Sequence, residues 1–466
     1  MSSSPPERRG RGGEEEGGEG AAAAGTRSGV GLGRRRRRRP GDPSSSRLRS
    51  ADAVWPEHFV EAVAAQVAVD AARSDGRLAA APAVVSVFQV CSSWRSVSRS
   101  ELLWKDLCRR VWSRRRRALP SWRDEFIRLH RTAANFRARR SAYSHLLPPS
   151  DAAISCRRLA LSDRHLAAGF VDGSVRLFDL PSGRALATYS ADPHRDRLGR
   201  FSQAISGIVL LDDDRLAFAS HDGDVHMASL GASGSVRRAH VGNLMEDGTL
   251  VDFTGNSRWW VGLFAGVPGR SWRVWDAATE QLVFVGGTLT DSDAILGWHM
   301  LTDLSRPVVG RAKIVEPGLV VGCTASTMEV MDLDDTGTIL NQLQLRHGVV
   351  VDSVDASEGR VMAVDTRGLA KVWEVPRLQE ICRFSTVRRA EGRQQGAAGV
   401  QGCMNWGYAV VCAAHGGVRV WDATTGEHLY SFRERIGEAA NAAAGDRYVA
   451  AWADETGLHL WDFGAL

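Results

Sequence analysis

The chain has 466 residues, 44% of them hydrophobic, with 15 Trp, 7 Cys and a formal net charge of +5, enough length and apolar content for two or three domains with real cores. No run reaches ~18 apolar residues, and no apolar stretch follows the N-terminal Met-Ser-Ser-Ser-Pro-Pro. Neither a membrane span nor a secretory leader is therefore expected, and the protein is read as soluble and intracellular, in nucleus and/or cytoplasm. No two cysteines have Cys-x-x-Cys spacing, which argues against the common zinc and redox motifs and for free thiols in a reducing compartment.

In chain order, residues 1–50 are rich in Gly, Ser, Glu, Arg and Ala and lack aromatic residues. Such a segment buries too little apolar surface to offset its ordering entropy and is expected to be a disordered low-complexity tail. It contains Arg34 to Arg39, six arginines in a row, the pattern either of an import signal or of a solvated charge run. Residues 51–112 switch to helical periodicity. Pro56 marks a helix start, and Phe59, Val60, Val63 and Val67 follow at helical spacing as an expected buried stripe. Ser74-Asp75-Gly76 breaks this helix. A second runs from about Pro82 through Val84, Val87, Phe88 and Cys91, and a third from Leu102 to Val111, with Leu103, Trp104, Leu107 and Val111 on one face. This unit has more apolar surface than ~60 residues can hide, so it is expected to complete its core against a partner. Trp122, Phe126, Leu129, Ala133 and Phe136 place one more amphipathic helix within 121–145, stopped by Pro148-Pro149. Residues 113–147 are thus read as a helical linker whose end, around Ser141 to Leu147, is the candidate propeller-closing strand.

From about residue 148 to the end the period becomes strand-like, with Gly and Asp turns. Seven segments share one pattern, a turn, an alternating strand and an aromatic–acid pair or its relic. They end at Asp179, Ser229, Asp276, Asp332, Glu374, Asp422 and Asp462, stepping by 50, 47, 56, 42, 48 and 40 residues. Four-stranded propeller blades take ~40–45 residues each, plus loop insertions. A single blade cannot bury both of its faces, whereas a closed ring can, and Trp275, Trp373, Trp421 and Trp461 are expected to pack between blades. The fold class is therefore an all-β seven-bladed propeller preceded by a small all-α domain and a helical linker. Charge divides the same way. Residues 1–145 hold 29 Lys+Arg against 15 Asp+Glu (+14), leaving 30 against 39 (−9) for the remainder.

These repeats resemble WD40 repeats over roughly 148–466. The match is specific in the third, fifth, sixth and seventh and degraded at Ala228-Ser229 and Met331-Asp332. The family's Gly-His before each blade is mostly missing, with His194, His240 and His347 near the right places. The helical unit, 51–112, resembles an F-box in Trp55-Pro56-Glu57-His58-Phe59-Val60, in Val90-Cys91-Ser92-Ser93-Trp94 and in Leu103-Trp104-Lys105. It departs from that family in having Trp55 where the pattern has Leu, and in extra residues around Asp75-Gly76. Asn135-Phe136-Arg137 resembles the Asn-Trp-Arg element that joins F-box to propeller. The resemblance to F-box/WD40-repeat proteins implies a substrate-recognition subunit of a Skp–cullin–F-box ubiquitin ligase. In that role the unit would dock a Skp-type adaptor, and through it cullin and RING subunits, and the propeller would hold a protein substrate of unknown identity. The adaptor contact it implies uses Pro56, Phe59, Val63, Val90, Cys91, Trp94, Leu103 and Trp104. The alternative is a WD40 scaffold with a degenerate F-box that only assembles complexes.

No enzymatic role and no cofactor are expected. Ser220-His221-Asp222 is contiguous, and triad members meet in space rather than in sequence, so Asp222-Gly223 is read as a turn between blade strands. No phosphate-binding glycine loop or metal-spaced cluster is present. The runs Arg34 to Arg39 and Arg114 to Arg117 lack interleaved aromatics, so nucleic acid is not an expected partner. Two Arg-rich loops in an acidic domain, with Arg195, Arg197 and Arg200 in one and Arg388, Arg389 and Arg393 in the other, are read as an acidic- or phospho-segment site, against the plainer reading of solvated loop charge.

Overall fold

The computed structural model describes residues 55–147, 154–190, 200–211, 215–230, 235–290, 310–316, 318–324, 327–345, 351–386, 400–413 and 415–465. The N-terminal tail with Arg34 to Arg39, and His194 and His347, lie outside the described residues.

Five helices come first: α1 (Glu57–Asp75), α2 (Ala80–Phe88), α3 (Ser92–Ser96), α4 (Glu101–Trp112) and α5 (Trp122–Arg137). The Ser100 hydroxyl caps α4 by accepting from the Leu103 N–H, and Ser121 caps α5 through the Asp124 N–H. α1 buries Val60, Ala64, Ala65, Ala68 and Val69. This corrects the expected stripe, because Phe59 and Val67 are exposed and Val63 is only half-buried. The small Ala64, Ala65 and Ala68 lie on the side of α1 that is buried in the core shared with α2 and α4, where small side chains allow close helix approach. Trp104 sits between Phe88 and Phe126, ring centroids 6.0 and 5.2 Å away, so α5 shares one core with α2 and α4.

α5 stops at Arg137, ten residues before the chain reaches Leu147, so Pro148 does not end it as expected. Arg139 adopts a left-handed conformation (φ 57°) and the chain turns into β1 (Ala142–Leu147). β1 pairs antiparallel with the last strand, β28 (Gly457–Asp462), from Ala142 opposite Asp462 to Leu147 opposite Leu458. Tertiary pairing overrides helical periodicity there.

The rest of the chain forms seven four-stranded antiparallel sheets. The seven segments found by repeat spacing are the third strands: β4 (Ser174–Asp179), β8 (Val225–Ser229), β12 (Trp272–Asp276), β16 (Thr327–Asp332), β20 (Leu369–Glu374), β24 (Gly417–Asp422) and β28. The first strands are β2 (Cys156–Leu161), β6 (Ile205–Leu211), β10 (Thr249–Gly255), β14 (Arg311–Glu316), β18 (Val351–Ser357), β22 (Gln401–Met404) and β26 (Ala439–Ala444). Each of these contacts the next, and β26 contacts β2, so they line a closed ring around a central channel. This is a seven-bladed propeller, closed by β1 as the outer strand of the seventh blade. Trp275, Trp373, Trp421 and Trp461 are buried in clusters that draw residues from neighbouring blades, where each large ring fills the wedge between two sheets.

Antiparallel order fixes the two faces of the ring. Turns after first strands and after third strands emerge on one face. Turns after second strands, and the loops between blades, emerge on the other.

Candidate functional site

The helical unit exposes several large apolar side chains. Phe59, Val67, Val85, Val90 and Leu102 are five of the sixteen large hydrophobics exposed among the described residues, and all lie within 59–102. Val90 (62% exposed) and Leu102 (71%) stand out because folding gains nothing from leaving them in water. Of the residues expected at an adaptor contact, Pro56, Phe59, Val90 and Cys91 are exposed, and Val63 and Trp94 are half-buried. Leu103 and Trp104 are not on this surface, which corrects their assignment. Both are core residues, and the Trp104 indole N–H donates to the Ser98 carbonyl at 2.7 Å. Leu102, which the sequence reading left out of the adaptor contact, is the exposed apolar residue of that helix turn.

A second surface joins the helices to the propeller, on the face carrying the turns after first strands. Arg77 pairs with Glu358, and its guanidinium lies 4.5 Å from the centroid of Trp406. Burial pushes Arg77 down and Glu358 up, and the opposite charge of each works against that displacement. Arg114 pairs with Asp163 and, at 3.3 Å, with Asp446. Burial works against its charge, and Asp163, Asp446 and Glu125 together more than offset this, so Arg114 titrates above its ordinary range. That arginine, read from sequence as part of a basic run, is committed to this seam. α5 anchors the other side. The Asn135 amide donates to the Phe463 carbonyl at 2.9 Å, Phe136 stacks between Tyr408 and Phe463 (4.5 and 4.1 Å), and the Tyr430 hydroxyl donates to the Phe136 carbonyl at 2.6 Å. The helical unit is therefore seated on the propeller by charge pairs at three inter-strand turns, by Arg77 over Trp406 at a fourth, and by an aromatic stack.

Arg195, Arg197, Arg388, Arg389 and Arg393 lie outside the described residues, and of Arg200 only the backbone is described, opening a 3-10 turn, Arg200–Gln203. The structure brings together a different set at the channel mouth. Five first strands, β2, β6, β10, β18 and β26, carry a register shift near their starts, placing Arg157, Ser206, Val251, Asp352 and Ala440 at the shifts. Such bulges re-aim side chains at the rims of closed sheets. Arg158 reaches across to blades 2 and 3, donating to the Ser206 and Val251 carbonyls (2.6 and 3.0 Å) and pairing with Asp252 at 3.1 Å. Arg157 donates to His221 Nε2. The His221 Nδ1–H faces the Leu250 carbonyl at 2.8 Å, so the ring is neutral, and burial together with Arg157 holds its pKa down at about 3. The sequence signal for this site was Arg157-Arg158 itself, since neighbouring residues of a regular strand point to opposite faces.

Ser220-His221-Asp222 forms the expected inter-strand turn. The Ser220 hydroxyl donates to Asp222 at 2.6 Å, while His221 faces the channel-side groups just named. The seven cysteines are free thiols; Cys91 is exposed and the others are buried, with Cys108, Cys156, Cys323 and Cys412 pushed up to about 12 by burial. Among the described residues no helix is long and apolar enough to cross a membrane.

No family model matches the chain. It is 48% identical over 435 residues to the transcriptional regulator STERILE APETALA of Arabidopsis thaliana, covering 91% of this chain and 95% of that protein. Among solved structures, the computationally designed Ika8 protein aligns with a TM-score of 0.44 and 17% identity, covering 68% of this chain and 99% of that one.

Proposed function

The chain belongs to the family of the transcriptional regulator STERILE APETALA, and from that premise we propose that it is a substrate receptor of a Skp–cullin–F-box ubiquitin ligase whose targets govern transcription. The observation that carries the reading is the exposure of the apolar side chains Phe59, Val90 and Leu102 on a helical unit whose core α5 completes. A surface that gains nothing for folding is one that a partner covers. The resemblance of this unit to an F-box supports the Skp-type adaptor as that partner. Pro56, Phe59, Val63, Val90, Cys91, Trp94 and Leu102 form the contact, while Leu103 and Trp104 hold it in shape from below.

The propeller then acts by position. Its far face holds a protein, and the adaptor side brings a charged ubiquitin-conjugating enzyme, raising the effective concentration of the captured lysines. No residue of this chain touches the bond being made. A regulator of transcription works where transcription occurs, so the protein acts in the nucleus.

The test is co-purification from plant cells expressing the full chain or a Phe59→Ala/Val90→Ala/Leu102→Ala variant. Adaptor and cullin are expected with the first and lost with the second. If the wild type brings down transcription-associated proteins without adaptor or cullin, the chain is a scaffold and the receptor reading is wrong.

A further inference from the structure

We propose that this chain is built to escape the ubiquitin transfer it directs: lysine is withheld from its surface, so the recruited conjugating enzyme modifies the captured protein and spares the receptor. The proposal rests on the receptor reading given above. Lysine is among the commonest residues of soluble proteins. Here, of 59 Lys and Arg together, only Lys105, Lys313 and Lys371 are lysine, and residues 1–104, 106–312, 314–370 and 372–466 have none. Stability does not demand that choice. Arg164 and Arg383 are 65 and 68% exposed, and each meets a carboxylate through Nε, Asp179 and Glu380, both at 3.3 Å. Exposed pairs of this kind contribute little, and a lysine serves there as well as an arginine.

What separates the two residues is nucleophilicity. A neutral lysine amine attacks the thioester carbon that joins ubiquitin to the enzyme's cysteine. The C–N bond forms, the C–S bond breaks, the thiolate leaves and the amine gives up a proton. An arginine stays protonated with its lone pair delocalised, and does not attack. A receptor held in one assembly with the enzyme has an effective concentration like that of its captured protein, so each exposed lysine on it would compete for ubiquitin. The three that remain are kept from that competition. Lys313 is half-buried on β14, a channel-lining strand, with Nζ 3.3 Å from Asp355 on β18 of the next blade. Lys371 is half-buried on β20, with Nζ 3.4 Å from Glu380 on the outer strand of the same blade, Gln379–Ser385. Lys105 is exposed, but it follows Leu102 by three residues on α4 and so lies on the helix face that the adaptor covers.

The test reconstitutes the full chain with adaptor, cullin, RING subunit, conjugating enzyme and ubiquitin, in an assembly shown to build free ubiquitin chains, and maps conjugates by mass spectrometry. The comparison is an Arg270→Lys/Arg367→Lys/Arg383→Lys variant, which keeps every positive charge. Arg270 and Arg367 are exposed in turns after second strands, on the face away from the helical unit, and Arg383 is exposed on an outer strand. The variant is expected to melt and to capture adaptor as the wild type does, and to be conjugated at its new lysines at least tenfold faster than the wild type is anywhere. Acetylation of Lys105 by an amine-reactive ester is expected in the free chain and is expected to slow at least tenfold once adaptor is bound. Equal conjugation of the two chains, or conjugation of Lys105 within the assembly, overturns this proposal and leaves the receptor reading standing. A wild type that captures no adaptor removes the receptor reading and this proposal with it.

Discussion

His459 and His221 set an acid limit on the propeller. His459 lies under the ring-closing strand, with Tyr143 Oη at 2.8 Å from Nδ1 and Thr456 Oγ1 at 2.8 Å from Nε2, and with His145 stacked at 4.8 Å. The neutral ring is satisfied at both nitrogens, and burial followed by the charge of His145 lowers its pKa from 6.5 to about 4. His221 is lowered to about 3. Each folded-state pKa lies below the unfolded value, so the unfolded chain binds more protons in this range. Stability is fully present above pH 6.5 and is lost as pH falls through 6.5 toward 4. Melting temperatures measured across that window are expected to fall with acid, and a flat profile would contradict the placement of both rings. Phe136 offers a second residue-scale prediction. It is fully buried between Tyr408 and Phe463, so Phe136→Ala is expected to cost about 3–5 kcal/mol in chemical denaturation. A loss below about 1 kcal/mol would mean that the stack does not hold α5 in place.

At the scale of elements, what local patterning encodes was legible and what distant contacts decide was not. The seven third strands follow from a repeated turn and a period of two, because every blade must bury the same faces. Which side of α1 packs inward was misread: Phe59, Val63 and Val67 have the right spacing, but Ala64 and Ala68 let helices approach more closely, and apolar counting undervalues alanine. The end of α5 was misplaced because the signal that ends it sits in β28, more than three hundred residues away in sequence. The channel arginines were missed because a bulge, not a periodic pattern, brings them together. The role of β1 can be tested directly. Without residues 1–147, β28 becomes an uncovered edge with unpaired backbone groups. That truncated propeller is expected to melt lower and to associate by sheet pairing, which light scattering detects. A monomeric fragment with an unchanged melt would show that β1 is dispensable.

The whole molecule joins two surfaces with different tasks. The seam between them is built from Arg77–Glu358, Arg114–Asp163, Arg114–Asp446 and the stack around Phe136, so the apolar surface of the helices and the far face of the propeller are held in one geometry. Glu358→Ala leaves the buried Arg77 head without its carboxylate. It is expected to destabilise by about 1–3 kcal/mol and to speed hydrogen exchange in α1 and α2 more than in the blades. Uniform exchange would place the weakness elsewhere. The central claim is that the helical unit docks a Skp-type adaptor, and a calorimetric titration of purified adaptor into the full chain tests it most directly. Saturable one-to-one binding is expected, weakened at least tenfold by Phe59→Ala/Val90→Ala/Leu102→Ala while the propeller melt stays unchanged. A well-folded wild type that gives no binding heat and captures no adaptor would contradict the account.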